Sequence, residues 1–311
     1  FTLRMRKSLA EKGWLTMAWP KEHGGQGATH WEQAVVREEL WAHDEPRASQ
    51  YMNLNWIGPA IQLFGTEEQK LKYLPPISRG EENWCQGFSE PDSGSDLASL
   101  QTRAVADGDH FVVNGQKIWT SYAAAAQTCF LLTRTDPDAP KHKGITALLV
   151  DMDTPGITVR PIMGIHGPNH FNEVFFDDVR VHRSQMLGEL NQGWYTTMAA
   201  LAFERIGVAR YARHARVLED LAQYAKDTVR NGQSLATDPV IRSRFAELWT
   251  KNRMSQLLNY RVVSMVEDGE VPNAEGSLAR LQNILVGREI TQFGMELLGL
   301  EAEFTLDGKW A

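Results

Sequence analysis

Residues 87–96 read GFSEPDSGSD, and about twenty residues further on 114–121 read NGQKIWTS. The first stretch gathers proline, glycine, serine and acids. That composition predicts a rigid turn with several backbone N–H groups free to point at an anion or a ring. It equally suits a plain loop in which Ser93 and Ser95 cap backbone groups. The second stretch sets Trp119, Thr120 and Ser121 at a strand end. An indole there can lie beside a flat ring system with hydroxyls at its edge, or it can simply fill the core.

Working outward, the surrounding residues 81–186 have a strand period. Residues 101–106 alternate, Asp107-Gly108-Asp109 reads as a turn, and 110–114 reads as a strand. Asn114-Gly115 carries a hairpin signal, with the chain returning over 116–120. Residues 128–135, 144–151, 157–162 and 172–181 are further strand candidates. About six strands without an intervening helix predict a barrel or sandwich rather than a parallel sheet.

The flanks have a helical texture. Residues 29–42 read as a helix with Thr29 at the N-cap and Glu32 at the capping-box position. Residues 56–64 read as a second helix. A third covers 66–73, with Glu67 and Glu68 in its first turn and Pro75-Pro76 as its stop. Downstream, 194–227 reads as one long helix, 230–238 as a polar break, 239–268 as a helix with Pro239 in its first turn, and 275–300 as the last helix. Three long helices with short links predict an antiparallel bundle. The expected fold is α+β: an N-terminal helical domain (1–80), a central β-barrel or sandwich (81–186) and a C-terminal helical bundle (187–311).

Bulk properties exclude several classes. The 311 residues are 42% hydrophobic and 23% charged, an ordinary globular composition. A net charge of −7 gives nucleic-acid binding no electrostatic support. No apolar run reaches the ~20 residues of a membrane span. Cys85 and Cys129 form neither a metal motif nor a disulfide framework, so a reducing, cytoplasmic location is expected. The start at Phe1 and the stop at Ala311 suggest residues missing at one or both ends.

One side chain has an unusual setting. On a continuous helix Glu204 has Ala200 and Leu201 on one side, Gly207 and Val208 on the other, and Tyr211 two turns on. Arg205 points about 100° away. A carboxylate on such an apolar face either reaches solvent or sits in a dry site, which is the condition for a general base.

The two opening stretches, in this order and spacing, resemble the paired flavin-binding signatures of the acyl-CoA dehydrogenase family. Ser89-Glu90-Pro91-Asp92-Ser93-Gly94-Ser95-Asp96 resembles "TEPGAGSD". Gly115-Gln116-Lys117-Ile118-Trp119-Thr120-Ser121 resembles "GxKxWxTN". Residues 171–181, FNEVFFDDVRV, resemble the family's "FDDVRVP" strand, with His182 where proline is usual. The helix–strand–helix order agrees, and the resemblance covers nearly the whole chain.

The resemblance implies FAD as cofactor. Gln86, Phe88 and Ser89 would line the flavin ring and its edge, and Ser95 would sit by cofactor and substrate pantetheine. Trp119 would pack on the isoalloxazine, with Thr120 and Ser121 bonding near its edge. Most members carry the catalytic glutamate late in the chain. A minority resembling the isovaleryl-type and long-chain enzymes carry it in an "ERL" run on the first C-terminal helix. Phe203-Glu204-Arg205-Ile206 matches the minority, so Glu204 is the implied base and Arg205 an implied contact of the CoA portion.

The implied reaction is α,β-dehydrogenation of an acyl-CoA to the trans-2-enoyl-CoA, with room for a branched or steroid-side-chain-like acyl group. An electron-transferring flavoprotein would be the acceptor, and the assembly a homo- or hetero-oligomer, a dimer of dimers. The family's Arg-x-x-Phe-Gly run, whose arginine reaches a neighbouring subunit's flavin, is absent around 229–235. That departure suggests a mixed assembly in which this chain is inactive alone. The competing expectation is a flavin monooxygenase or oxidase of the same fold.

Overall fold

The computed structural model describes residues 2–46, 49–164, 170–204, 209–270 and 272–299, apart from the side chains of 202–204. The chain begins with helices α1 (Thr2–Glu11), α2 (His30–Ala42), α3 (Gln50–Met52), α4 (Gly58–Phe64) and α5 (Glu67–Ser78). A π-turn over Asn53–Ile57 joins α3 to α4. Strands follow: β1 (Trp84–Gly87), β2 (Arg103–Asp107), β3 (His110–Lys117), β4 (Thr128–Arg134), β5 (Ile145–Asp151), β6 (Ile157–Pro161), β7 (Asn172–His182) and β8 (Met186–Leu187). Then come α6 (Gly193–Glu204), α7 (Arg210–Asp227), the short strands β9 (Val229–Arg230) and β10 (Gln233–Ser234), α8 (Pro239–Glu267) and α9 (Ala274–Leu298). The contacts divide into two compact units, Phe1–Ala28 with Pro46–Glu204, and Thr29–Glu45 with Arg205–Ala311.

In the first unit one sheet runs β6-β7-β3-β2-β4-β5-β8, with β1 also paired to β4. The β1–β4 and β2–β4 pairs are parallel and the others antiparallel. Strand β4 explains how the sheet is packed. Every residue of TCFLLTR is buried, and successive side chains point to opposite faces. Phe130 and Leu132 join a core with Ile57, Ile61 and Leu74 from the helices. Cys129 and Leu131 join another with Phe111, Val113 and Val150. A strand covered on both faces shows a continuous apolar run rather than alternation.

Several sequence expectations hold here. Thr29 caps α2 with a full capping box to Glu32. Pro239 sits in the first turn of α8.

Others are corrected. Asn114-Gly115 is no hairpin; β3 runs through it as a bulge against β7. The Asn114 amide is taken by Asp178, with Nδ2 donating to Oδ1 at 2.9 Å and Oδ1 accepting from Asp178 N–H at 2.9 Å. Gly115 presses on Thr102, where a Cβ would meet Cα at 2.7 Å. The hairpin turn is instead at Gly108 (φ 60°), between β2 and β3.

Pro75-Pro76 does not stop α5, which continues to Ser78. Only two N–H donors are lost. The proline carbonyls still accept from Arg79 and Glu81, and Leu74 and Ile77 hold the last turn in the core.

Residues 194–227 are not one helix. Ala209 (ψ 41°) is non-helical and precedes α7. Tyr211 therefore does not lie two turns from Glu204 on a continuous helical face.

The second unit packs α7, α8 and α9 around Leu218, Leu221, Leu248, Val286, Ile290 and Phe293. The Phe245 and Phe293 rings meet edge to face, 4.9 Å between centroids. Between α7 and α8, Asn231 (φ 52°) and Gly232 (φ 78°) make a tight hairpin of β9 and β10.

Candidate functional site

The two motif stretches fold into one hydrogen-bonded body. Strand β1 delivers the chain to Phe88, and the next residues close a turn in which Glu90 N–H donates to Ser93 O (2.9 Å) and Ser93 N–H to Glu90 O (3.1 Å). Ser93 Oγ donates to Asp96 O at 2.9 Å. The turn places the Glu90 carboxylate inward, where it meets Lys117 at the end of β3. Lys117 Nζ lies 2.8 Å from Glu90 Oε1 and donates to Phe88 O at 3.0 Å. Glu90 also accepts from Thr102 N–H (2.8 Å) and Gln101 N–H (2.6 Å). Ile118 N–H then donates to Ser89 O at 2.9 Å.

This is a buried ion pair, with side-chain exposures of 0% for Lys117 and 7% for Glu90. Burial pushes the Glu90 carboxyl up. The Lys117 charge and the hydrogen bonds around it outweigh that and hold it below the usual carboxylate value. Burial draws the Lys117 ammonium down, against the pull of Glu90. Every charge here has several partners, which is the condition for tolerating ions in a dry interior. The pair fastens the first motif to the second. Reading residue types one stretch at a time assigned neither residue a role; the joint presence of Glu in the first motif and Lys in the second was the available signal.

Beyond Lys117 the backbone turns sharply. Trp119 (φ 59°) and Tyr122 (φ 61°) are both left-handed. Thr120 is buried between them and pairs with Asn172 at the start of β7. Trp119 is 57% exposed and Phe171 also faces outward, their rings edge to face at 6.1 Å. The indole is therefore not a core side chain. Thr120 Oγ1 is buried with no hydrogen-bond partner among the described residues.

The sequence-derived residues fall into distinct settings. Gln86 accepts from Trp56 Nε1–H at 3.0 Å, so its side chain is anchored to the helical layer by the π-turn residue. Phe88 is buried edge to face on Phe130, 5.4 Å apart, and its carbonyl is taken by Lys117. Ser89 is half-buried, and its carbonyl is taken by Ile118. Ser95 is exposed and Ser121 half-buried. Glu204 closes α6, but its side chain and all of Arg205 lie outside the described residues.

Ser89, Trp119, Thr120 and Ser121 are thus brought together through the Ser89–Ile118 bond. An outward indole with the half-buried Ser121 hydroxyl two residues on fits a flat, hydrogen-bonding ring such as the flavin implied by the resemblance. In the second unit, Arg230 Nη2 donates to Leu297 O at 2.7 Å, so this arginine closes the C-terminal end of α9.

Comparison with known proteins agrees with this geometry. Family models of the acyl-CoA dehydrogenase N-terminal, middle and C-terminal domains match residues 1–81, 85–179 and 191–308. Acyl-CoA dehydrogenase IpdE1 of Mycobacterium tuberculosis is 37% identical over 305 residues, 97% of this chain and 77% of the relative. The Tcur3481-Tcur3483 steroid ACAD superposes with a TM-score of 0.91 at 36% identity, over 99% of this chain and 79% of that one. The ChsE4-ChsE5 complex from Mycobacterium tuberculosis does so with 0.90 at 31% identity, over 100% and 80%. On its sequence, its fold and its joined motif pair, the chain is an enzyme of the acyl-CoA dehydrogenase family.

Proposed function

We propose that the chain carries out FAD-dependent α,β-dehydrogenation of an acyl-CoA thioester to the trans-2-enoyl-CoA, on a branched or steroid-side-chain-like acyl group. The observation that carries the reading is the Glu90–Lys117 joint, which holds Ser89, the outward Trp119 and the half-buried Ser121 in one hydrogen-bonded body. Trp119 is the platform for the ring, Ser121 bonds its edge with Thr120 fixing the backbone between them, and Gln86, Phe88 and Ser89 border it. Ser95, exposed on the first motif, meets the substrate's pantetheine. Bound flavin supplies the acceptor for the β-hydride. Glu204 takes the α-proton, and Arg205 holds the CoA portion. The bulky acyl group is supported by likeness to the Tcur3481-Tcur3483 steroid ACAD.

The partner reading has its own support. Val229–Ser234 forms a hairpin without the family's Arg-x-x-Phe-Gly run, and Arg230 is engaged on Leu297. Two similar structures, Tcur3481-Tcur3483 and ChsE4-ChsE5, each pair two different chains. The chain works in a hetero-oligomer whose other subunit supplies the missing arginine, and it passes electrons to an electron-transferring flavoprotein. Full, tight flavin occupancy of the chain purified alone would argue against the mixed assembly.

The reaction is tested by anaerobic bleaching of the yellow protein with a panel of straight, 2-methyl and steroid side-chain acyl-CoAs. Glu204→Gln is expected to slow bleaching by about 10²–10⁴-fold with flavin content unchanged. Equal bleaching by the variant would remove Glu204 from the mechanism. Preference for short straight chains would overturn the acyl-group assignment.

A further inference from the structure

We infer that Asn172 is a positioning residue for the flavin-facing run, setting the Trp119 indole through the backbone of Thr120; this rests on the proposed flavin site. Asn172 opens β7 and is fully buried. It grips Thr120 three times. Thr120 N–H donates to Asn172 O at 3.0 Å, Asn172 N–H donates to Thr120 O at 3.1 Å, and Asn172 Nδ2 donates to the same Thr120 O at 3.0 Å. The two backbone bonds would exist with any residue at 172. The third needs the amide.

The local backbone explains why a third bond is needed. Trp119 and Tyr122 flank Thr120, and both occupy the left-handed region (φ 59° and 61°). For residues with a Cβ this conformation costs about 1–2 kcal/mol each, and it persists only where neighbouring groups over-determine it. Tyr122 is held by its N–H donating to His170 O at 2.8 Å. Trp119 has Thr120, and behind it Asn172. Without that grip, the adjacent αL residue could relax toward an extended conformation and swing the exposed indole away.

A second observation points the same way. Asn172 Oδ1 and Thr120 Oγ1 are both buried with no hydrogen-bond partner among the described residues. An amide serving only the interior would be replaceable by an apolar side chain, since an unpaired buried polar atom costs roughly 1–3 kcal/mol. An amide that fixes a strained hinge has a reason to remain. Asn172 does not touch the ring; it acts through Trp119.

A double-mutant cycle tests this, using the assembly in which the chain holds flavin. Apoprotein is titrated with FAD for wild type, Asn172→Ala, Trp119→Ala and the double variant. The visible flavin band gives Kd, and thermal unfolding of the apoprotein confirms folding. Asn172→Ala should weaken FAD binding by about 5–10-fold in the wild-type background, the size of one hydrogen bond. In the Trp119→Ala background it should change Kd by less than about twofold, because the side chain it positions is gone. Asn172→Ser, which keeps a small donor, should fall between, and it carries the cycle if the alanine variant does not fold. Equal effects in both backgrounds, or no effect in wild type, would overturn the inference. An assembly that takes up no flavin would overturn the functional reading as well, so the two failures are distinguishable.

Discussion

Two lysine–glutamate pairs show how differently the sheet unit and the helical unit use charge. In the sheet unit, Lys117 and Glu90 meet at 2.8 Å with water excluded, and Phe88, Gln101 and Thr102 complete their hydrogen bonding. In the helical unit, Lys251 meets Glu289 at 2.6 Å and Glu247 at 2.7 Å, with Arg244 beside both acids and the side chains about one-third exposed or more. The contact chemistry is the same and the surroundings are not. Ions in a dry interior are tolerated only in one arrangement, so the first pair specifies how two loops meet. Ions at the surface keep much of their hydration, so the second pair decorates helices held by Leu218, Leu248 and Val286.

The comparison can be broken most decisively at Lys117. Lys117→Met leaves Glu90 buried and uncompensated, and urea unfolding should show a loss of about 3–5 kcal/mol. Adding Glu90→Gln should recover part of it. A loss no larger than that of a surface substitution would mean the pair is not the joint between the motifs.

An intermediate effect should come from His214 on α7. Burial, with Arg210 and Arg213 nearby, lowers its ring from 6.5 to about 4. The folded form therefore resists protonation while the unfolded chain protonates near 6.5. Stability from this group is complete above that pH and falls as pH drops toward 4, by roughly 2–3 kcal/mol. The pH slope between 6.5 and 4 should shrink in His214→Gln. The ring packs so closely on α9 that a Cβ at Gly287 would lie 2.6 Å from Nε2. Unchanged slope in the variant would assign the acid sensitivity elsewhere.

The smallest effect is expected at Lys251. Lys251→Met should shift the unfolding midpoint by at most about 2 °C, with the shift vanishing in high salt. A large, salt-independent loss would make the helical unit resemble the sheet unit after all.

Local signals were legible where a short stretch carries its own physics. The Thr29 cap, the strand runs read at 128–135 and 144–151, and the ordered motifs at 89–96 and 115–121 could be read directly, because capping, burial on two faces and turn composition act within a few residues. Strands β1 and β8 were not legible, since four and two residues are too few to show a period. Asn114-Gly115 misled because a hairpin signal and a bulge signal use the same residues, and Asp178 on a distant strand decided between them.

The sequence by itself determined the family and the order of helices and strands, and it supplied the residues proposed to meet a flavin and a thioester. Only the tertiary structure decided that Glu90 and Lys117 are partners, that Trp119 faces outward on a strained backbone, and that Asn172 stands behind it. The reason is range. Propensity and capping are settled among neighbours in the chain, whereas the pairing of buried polar groups is settled by which atoms folding brings together once water has been excluded.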